Sequence, residues 1–494
     1  MVCDSALMRK STQAELDEYY PIRPDCRETV PKPRFKLRPG RTLSARKWNA
    51  SFSEEGHLDI AGVLKRIQRG GVHPSIRGAV WEFLLGCYDP SSTFNDRSLI
   101  RTRRREKYDE LKAACQKMVP VIGSGKFITT PIVTDDGWPI EGDCEPIEDA
   151  EDVQPLQGNH DENANDPALD KKVIRWKKVL PQIGMHLASL YVLTESSTPP
   201  PKLLILVVVL VLLHYFTTHS VVGHGCNGSQ DEVEDEMEVD GLDVVRTDQA
   251  LVFYQSESNQ AKLWNVLSIY AWVDSDIGYV QGMSDICSPM VVLLENEADA
   301  YWCFERTMRR LRDNFMTSAT SMGVQSRLST LSAIIKAIDP KLHQHLEELD
   351  GGQYLFAFRM LMVLFRREFS FVDALYLWEL MWAMEYNPNT FLLYETSAAD
   401  ATSADLSEKM LRKYGKFERN NVKTGCKNYQ GALAVFLAAS ILENKQKQIL
   451  KEAKGLDDIV QILNDVTGNL DAKKACNEAL NIQKKFLKMA QKPS

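Results

Sequence analysis

The chain has 494 residues, of which 44% are hydrophobic and 26% charged, and its formal net charge is −8. This length allows one large or two ordinary domains, and the composition is that of an ordinary globular protein. A protein that binds nucleic acid is normally basic, so we expect no nucleic acid partner. The ten cysteines contain no CxxC pair and no zinc-finger spacing, which predicts reduced thiols, a cytoplasmic protein and no metal site.

The N-terminal part of the chain changes from a polar segment to helical periodicity. Residues 1–56 are polar and contain five prolines between Pro21 and Pro39, so we expect an extended polar arm. Residues 57–118 begin with apolar positions at i, i+3, i+4 and i+7 spacing, and Gly70 and Gly71 end that first helix. We interpret 57–118 as the first helices of a domain.

The middle of the chain is irregular. Residues 119–170 are rich in Gly, Pro, Asp and Asn and are predicted to form a surface loop, whereas 171–184 regain helical character. Residues 185–241 combine a proline triplet, eleven consecutive aliphatic residues at Leu203–Leu213, and seven carboxylates within Asp231–Asp240. A membrane span needs about 18 or more apolar residues. The short aliphatic run therefore favours a buried or foreign segment, and a membrane-anchored adaptor remains an alternative.

Residues 242–490 are dense in apolar residues at helical spacing. One face is marked by Leu263, Val266, Leu267 and Tyr270, and a later segment carries Trp378 and Trp382 four residues apart. Two final helices are expected over about 431–447 and 456–489. No alternating pattern typical of a strand persists, so the predicted fold class is all-α.

Three short motifs follow one another along this helical frame. The first runs from Arg77 to Trp81 as RGAVW, the second from Leu242 to Arg246 as LDVVR, and the third from Tyr279 to Gly282 as YVQG. Each motif is weak when taken alone, because a single arginine or glutamine is more often a surface residue than a catalytic one.

Together, in this order, the motifs resemble the RxxxW, IxxDxxR and YxQ fingerprints of TBC-domain Rab GTPase-activating proteins. The resemblance implies a multi-helix domain of two helical lobes, here with long loop insertions. It also implies an activator, not an enzyme with a substrate of its own, which stimulates GTP hydrolysis by a Rab small GTPase in its GTP form during vesicle trafficking. GTP and Mg²⁺ then belong to the partner and no cofactor is expected. Peripheral association with endomembranes would fit such a role.

The resemblance assigns a role to each motif residue. Arg246 matches the family's arginine finger and Gln281 its glutamine finger, with Tyr279 as part of the same YxQ motif. Asp243 lies one helical turn before Arg246, where it can orient the arginine. Gly282 would allow close backbone approach.

The first motif has a structural interpretation. Arg77 and Trp81 are four residues apart and so share one face of a helix. We expect the arginine stem to pack on the indole, with a cation–π contact between them.

The second motif departs from the family pattern, because the expected isoleucine three residues before Asp243 is replaced by Asp240. Joining Ile183-Gly184 directly to Leu242 restores the pattern, so 185–241 looks like an insertion inside the motif. We hypothesise that this block is a retained intron or a wrongly assigned exon and that the working protein lacks it. The alternative is a non-catalytic scaffold that binds a Rab while the insertion displaces Arg246.

Overall fold

The computed structural model describes residues 12–127, 241–316, 323–395, 407–424 and 433–490. All of them belong to one compact unit, drawn from Met1–Thr130 and His219–Ser494. Within these ranges the regular structure is helical, with three isolated β-bridges and no strand. The predicted all-α fold class is therefore confirmed. The helix expected over 171–184, most of the 119–170 loop and all of the block 185–241 except its last residue lie outside the described residues.

The helices are numbered in chain order over the described residues. The first group is α1 Thr12–Tyr19, α2 Ala45–Asn49, α3 Ile60–Gly70, α4 Arg77–Leu84 and α5 Phe94–Gln116. The second is α6 Gly241–Arg246, α7 Glu257–Val273, α8 Met283–Leu293, α9 Glu297–Phe315, α10 Gly323–Ile338, α11 Pro340–Glu348 and α12 Phe358–Met362. The last is α13 Phe371–Glu385, α14 Thr390–Glu395, α15 Glu408–Leu411, α16 Lys416–Thr424, α17 Leu433–Glu452, α18 Leu456–Asn464 and α19 Ala472–Ala490.

Helix α13 is the centre of the fold. Every residue from Phe371 to Met384 is buried, which is the pattern of a helix that has neighbours on all sides. It packs against α3 and α4, and also against α16, α17 and α19. A second group forms around α7, which contacts α5, α8 and α9, and α9 joins this group to α10. The two groups correspond to the two helical lobes that the family resemblance implies.

The N-terminal segment was expected to be an extended polar arm, and its described part from Thr12 to Gly56 packs against the helical core. Its buried apolar side chains are Leu16, Tyr20, Phe35, Leu43 and Trp48. Backbone hydrogen bonds hold it in place: Leu43 donates to Gly71 at 3.0 Å, and His73 donates to Leu43 at 3.0 Å. The apolar residues are too widely spaced to give a periodic signal, which is why the sequence did not reveal this packing.

The C-terminal region contains three helices where two were expected. The segment predicted as one helix over 456–489 is divided into α18 and α19 by a turn at residues 465–471. Gly468 has φ +73° in this turn, a conformation that glycine adopts at little cost, and its N–H donates to the Glu368 carbonyl at 3.0 Å. No helix in the described ranges is long and apolar enough to cross a membrane, and Leu203–Leu213 lies outside those ranges.

A buried ion pair joins α4 to α13. Arg77 Nε lies 2.8 Å from Glu379 Oε1, and both side chains are fully buried. Trp81 donates its indole N–H to the same oxygen at 3.4 Å, and the Val72 N–H donates to Oε2 at 3.2 Å. Burial raises the pKa of the Glu379 carboxyl to about 7, while the Arg77 charge acts in the opposite direction.

The expected contact of Arg77 with the Trp81 indole is replaced by other partners. The guanidinium lies over the rings of Tyr20 at 5.6 Å and Phe35 at 5.2 Å, both in the N-terminal segment. Arg77 and Trp81 meet instead through the carboxylate of Glu379. Both side chains are therefore buried in the core, and they share a partner about three hundred residues away that helical spacing could not identify.

We predict that Glu379→Ala destabilises the fold by about 3 to 5 kcal/mol, because it leaves the Arg77 charge buried without a partner. The double variant Arg77→Met with Glu379→Leu should recover much of that loss, since it removes both charges and keeps the volume. Urea unfolding of each variant measures the change. Glu110→Ala, which breaks the exposed pair with Lys107, is the control and should change stability by less than about 1 kcal/mol. Equal losses at Glu379 and Glu110 would contradict the prediction.

Candidate functional site

The second and third motifs meet at the carboxylate of Asp243. Asp243 and Arg246 are one turn apart in α6, which packs on α7. Arg246 donates from Nη2 to Asp243 Oδ1 at 2.6 Å, and Gln281 donates from Nε2 to the same oxygen at 3.2 Å. The Tyr279 hydroxyl donates to Oδ2 at 2.8 Å. These four residues, here called the Asp243 cluster, come from segments more than thirty residues apart in sequence.

Burial differs sharply between the members of the Asp243 cluster. The Asp243 side chain is 7% exposed, whereas that of Arg246 is 58% exposed, and Gln281 and Tyr279 are partly buried. The carboxylate is therefore an anchor inside the protein. The cationic head of Arg246 stands at the surface, where it can reach a second molecule.

Hydrogen bonds behind the Asp243 cluster hold α6 against the start of α8. The buried Thr247 hydroxyl donates to the Asp243 carbonyl at 2.6 Å and lies 2.8 Å from the Ser284 hydroxyl. Arg246 also donates from Nε to the Leu242 carbonyl at 3.2 Å. These bonds restrict the backbone on both sides of the arginine, so its side chain starts from a defined position.

Gly282 separates Gln281 from helix α8 and takes a left-handed conformation with φ +102°. A Cβ at this position would lie 2.9 Å from Val363 Cγ1, which is too close for a normal contact. Glycine is therefore required for two reasons, the backbone angle and the close approach of the Val363 side chain. The sequence suggested that Gly282 allows a close approach of the backbone, and the group that it approaches is Val363 in the core of this chain.

Two arginines that the sequence analysis did not assign lie next to this region. Arg366 forms an ion pair with Asp248, and Ser288 donates to Asp248 Oδ2 at 2.5 Å. Burial raises the pKa of Asp248, and the Arg366 charge opposes that effect. Arg367 donates to Asp285 at 2.8 Å and is 51% exposed. The signal that could have identified them is the consecutive arginine pair within an otherwise apolar stretch.

The structure thus brings together Asp243, Arg246, Tyr279 and Gln281, and it places Gly282 directly behind them. Arg77 and Trp81 belong to the core around Glu379 instead. Among the described residues, no group of three or more His, Cys, Asp or Glu side chains is placed to hold a metal ion. The arrangement offers a surface guanidinium beside a neutral amide, a pair suited to binding an anion and a polar neighbour at once.

Comparison with known proteins defines the class. The model of the Rab-GTPase-TBC domain family matches residues 226–401. Rab GTPase-activating protein 22 of Arabidopsis thaliana is 30% identical over 478 residues, with 88% of this chain and 79% of that protein covered. TBC1 domain family member 17 of Homo sapiens is 39% identical over 160 residues, with 32% of this chain and 24% of that protein covered. The chain belongs to the Rab-GTPase-TBC domain family.

The solved structures include a similar domain. The Ypt/Rab-GAP domain of Gyp1p matches with a TM-score of 0.48 and 15% sequence identity, covering 89% of this chain and 98% of that chain. The family membership inferred from the three motifs is confirmed by the sequence relatives.

We predict that Gly282→Ala destabilises the protein by about 1 to 3 kcal/mol, because it adds backbone strain and a clash with Val363. Gly40→Ala is the matched control, since Gly40 also has a positive φ (+78°) but has no atom within 4 Å of the added Cβ. Thermal and urea unfolding should show a larger loss at Gly282 than at Gly40. If the two losses are equal, the close contact with Val363 has no energetic weight.

Proposed function

We propose that this chain stimulates GTP hydrolysis by a Rab-family small GTPase, with Arg246 and Gln281 entering the partner's nucleotide site together. The observation that carries the proposal is the shared bond of both side chains to Asp243 Oδ1. In a member of the Rab-GTPase-TBC domain family, two side chains held by one carboxylate are suited to act as the proposed fingers. One encounter could then deliver both.

The arginine supplies charge. Negative charge on the oxygens of the transferred phosphoryl group limits GTP hydrolysis, and an arginine finger accelerates the reaction by about 10³ to 10⁵. A guanidinium suits this task because it stays protonated and presents forked donors to phosphate oxygens. Arg246 has the required exposure, with 58% of its side chain accessible.

The glutamine supplies orientation. Its side-chain amide can accept a hydrogen bond from the attacking water through its oxygen while its nitrogen donates to another group. In the structure the nitrogen of Gln281 already donates to Asp243 at 3.2 Å. That bond fixes the orientation of the amide. A fixed orientation supports the role of the amide oxygen as a positioned acceptor, and it reduces the conformational entropy that the side chain loses on binding.

Asp243 acts as a positioning residue in this proposal. Its buried carboxylate receives bonds from Arg246, Gln281 and Tyr279, so the two fingers are held close together before the partner arrives. Restricting flexible side chains beforehand reduces the conformational entropy lost on association. The Tyr279 hydroxyl holds the second carboxylate oxygen and so fixes the plane of the carboxylate.

The partner provides the rest of the chemistry. GTP and its Mg²⁺ belong to the GTPase, and the activator adds only side chains. We further propose a cytoplasmic protein that acts in vesicle trafficking and meets its GTP-bound partner at endomembranes.

A Rab-binding scaffold without activity is the competing function, because the block 185–241 interrupts the family's finger motif. The bonds of Arg246 and Gln281 to the same oxygen of Asp243 support the catalytic function, since α6 forms at the very end of that block and still brings both side chains to one carboxylate. Single-turnover GTP hydrolysis separates the two functions. A scaffold would bind the GTPase without accelerating hydrolysis.

We predict that Arg246→Ala lowers stimulated hydrolysis by about 10³-fold or more, because it removes the charge that stabilises the transition state. Arg246→Lys should restore little, since an ammonium does not reproduce the planar fork. Gln281→Ala should also be severe. Single-turnover GTP hydrolysis by a responsive Rab, with and without the variants, measures these effects.

Two controls make this test specific. Arg103→Ala, at an exposed arginine of α5, should leave stimulation unchanged, and the melting temperature of every variant should match the parent. The unmodified chain should also stimulate a Rab whose own glutamine has been replaced, because Gln281 substitutes for it. Stimulation that persists in folded Arg246→Ala and Gln281→Ala proteins would show that these residues are not the fingers.

We predict that deleting residues 185–241 preserves or raises both stability and stimulation. The deletion leaves Gly184 where Gly241 begins α6, so the residue before Leu242 stays glycine. It also removes an insertion of 57 residues, and closing a flexible segment of that length costs about 3 to 4 kcal/mol of chain entropy. Melting curves and single-turnover hydrolysis check both expectations. Loss of folding in the shortened protein would mean that the block is part of the core and that the insertion boundary is wrong.

A further inference from the structure

A small cavity lies apart from the Asp243 cluster and is surrounded by positive charge. It has a volume of about 50 Å³ and opens between the N-terminal segment, the end of α3, the start of α13 and the first turn of α19. Five of its lining side chains are cationic: Arg34, Lys36, Arg38, Arg69 and Lys473. This concentration is unexpected in a chain whose net charge is −8.

The cations of this cavity lack the carboxylate partners that arginines have elsewhere in the fold. Arg105 pairs with Asp299 at 2.6 Å, and Arg312 pairs with Asp274 at 2.7 Å. In the part of the chain that the structure describes, none of the five lining cations forms such an ion pair. Their charge is therefore left for solvent or for a bound anion to neutralise.

The two carboxylates that line the cavity are already engaged. Asp373 accepts from the backbone N–H groups of Arg34 at 2.8 Å and Phe35 at 2.7 Å. Asp471 accepts from the Lys474 N–H at 2.8 Å and so caps the N-terminus of α19. Both carboxylates are used to fix the backbone, and even counted in full they leave the cationic side chains in excess.

Positive charges surround Lys473 at the cavity wall. Lys473 has a lowered pKa, first because of partial burial and then because of the charges of Arg38 in the cavity and of Arg41 and Lys416 nearby, while the Asp471 charge acts in the opposite direction. Its ammonium donates to the Arg69 carbonyl at 2.7 Å, which keeps it at the cavity wall. Such crowding of like charges is unfavourable in the free protein, and a bound anion would relieve it.

We propose that this cavity binds a small, multiply phosphorylated anion, either as the headgroup of a membrane lipid or free in solution. Arginine forks match phosphate oxygens in geometry as well as charge. A single phosphate carries about −1.5 to −2 charges, so more than one phosphate is needed to balance the three positive charges that remain when the two lining carboxylates are subtracted from the five cations.

The size of the cavity restricts the ligand further. A volume of about 50 Å³ is several times the roughly 10–15 Å³ that a cavity needs to hold one water molecule, which suits a group as small as a phosphate. One phosphate group would occupy the cavity, and a second would lie at the rim beside the exposed side chains of Arg38 and Arg69. This site shares no residue with the Asp243 cluster, so its ligand is additional to the proposed GTPase partner.

The test compares two double variants of the full chain that change net charge equally. Arg38→Gln with Arg69→Gln removes two cavity cations, and Arg66→Gln with Arg103→Gln removes two exposed cations elsewhere, one of them in the same helix as Arg69. The membrane arm measures sedimentation with phosphatidylcholine vesicles that carry a bisphosphorylated inositol lipid. Vesicles of equal surface charge made with phosphatidylserine are the lipid control. The soluble arm titrates inositol hexakisphosphate by calorimetry.

We expect the parent and the control variant to bind in at least one arm, with the phosphorylated lipid preferred over phosphatidylserine. The cavity variant should bind about 30-fold more weakly, because two cations that each contribute about 1 kcal/mol are removed and about 1.4 kcal/mol corresponds to a factor of ten. Binding in the vesicle arm assigns the anion to a membrane, and binding in the soluble arm alone assigns it to a free polyphosphate. The proposal is overturned if the parent binds neither probe, or if the two double variants, with equal melting temperatures, lose binding equally.

Discussion

The buried ion pair between Arg77 and Glu379 is the interaction on which the arrangement of the helices depends. Two charges withdrawn from water are costly unless they match closely, so this pair fixes the position of α4 against α13. The pair also acts on the N-terminal segment, because Arg77 donates to the Tyr20 hydroxyl at 3.4 Å. Directly after Tyr20, the Pro21 carbonyl accepts from Val252, and Arg23 donates to Ala250, both at 2.9 Å. Residues 20–23 therefore connect the buried ion pair in the core with Ala250 and Val252, which follow Arg246 in the chain.

The parts of the fold that the sequence predicted are those governed by local spacing. The i, i+3, i+4 pattern of Ile60, Val63 and Leu64 predicted α3, and Gly71 ends that helix with φ +69°. Helical spacing also placed Asp243 within reach of Arg246, and the ion pair at 2.6 Å has that geometry. Periodicity detects such features because both partners lie within one turn of the same helix.

Contacts between distant segments could not be predicted in the same way. The bond of Gln281 to Asp243 and the pairing of Arg77 with Glu379 depend on how helices cross, and a single sequence contains no record of that crossing. Glu379 gave an indirect signal, since it is a carboxylate within the wholly buried stretch Phe371–Met384, and such a charge requires a partner. The break between α18 and α19 was missed because Gly468 sits in a polar turn flanked by helical spacing on both sides.

The central position of α13 sets a limit on how this domain can be divided. The family model matches residues 226–401, yet α13 is covered by α3 and α4, which precede that span, and by α17 and α19, which follow it. A recombinant fragment cut at the borders of similarity would expose the apolar surface of α13 to water and invite aggregation. A fragment that runs from the N-terminal segment to the end of α19 keeps that surface covered. The unit that can be duplicated or exchanged between proteins in evolution is therefore larger than residues 226–401, the segment that the family model matches.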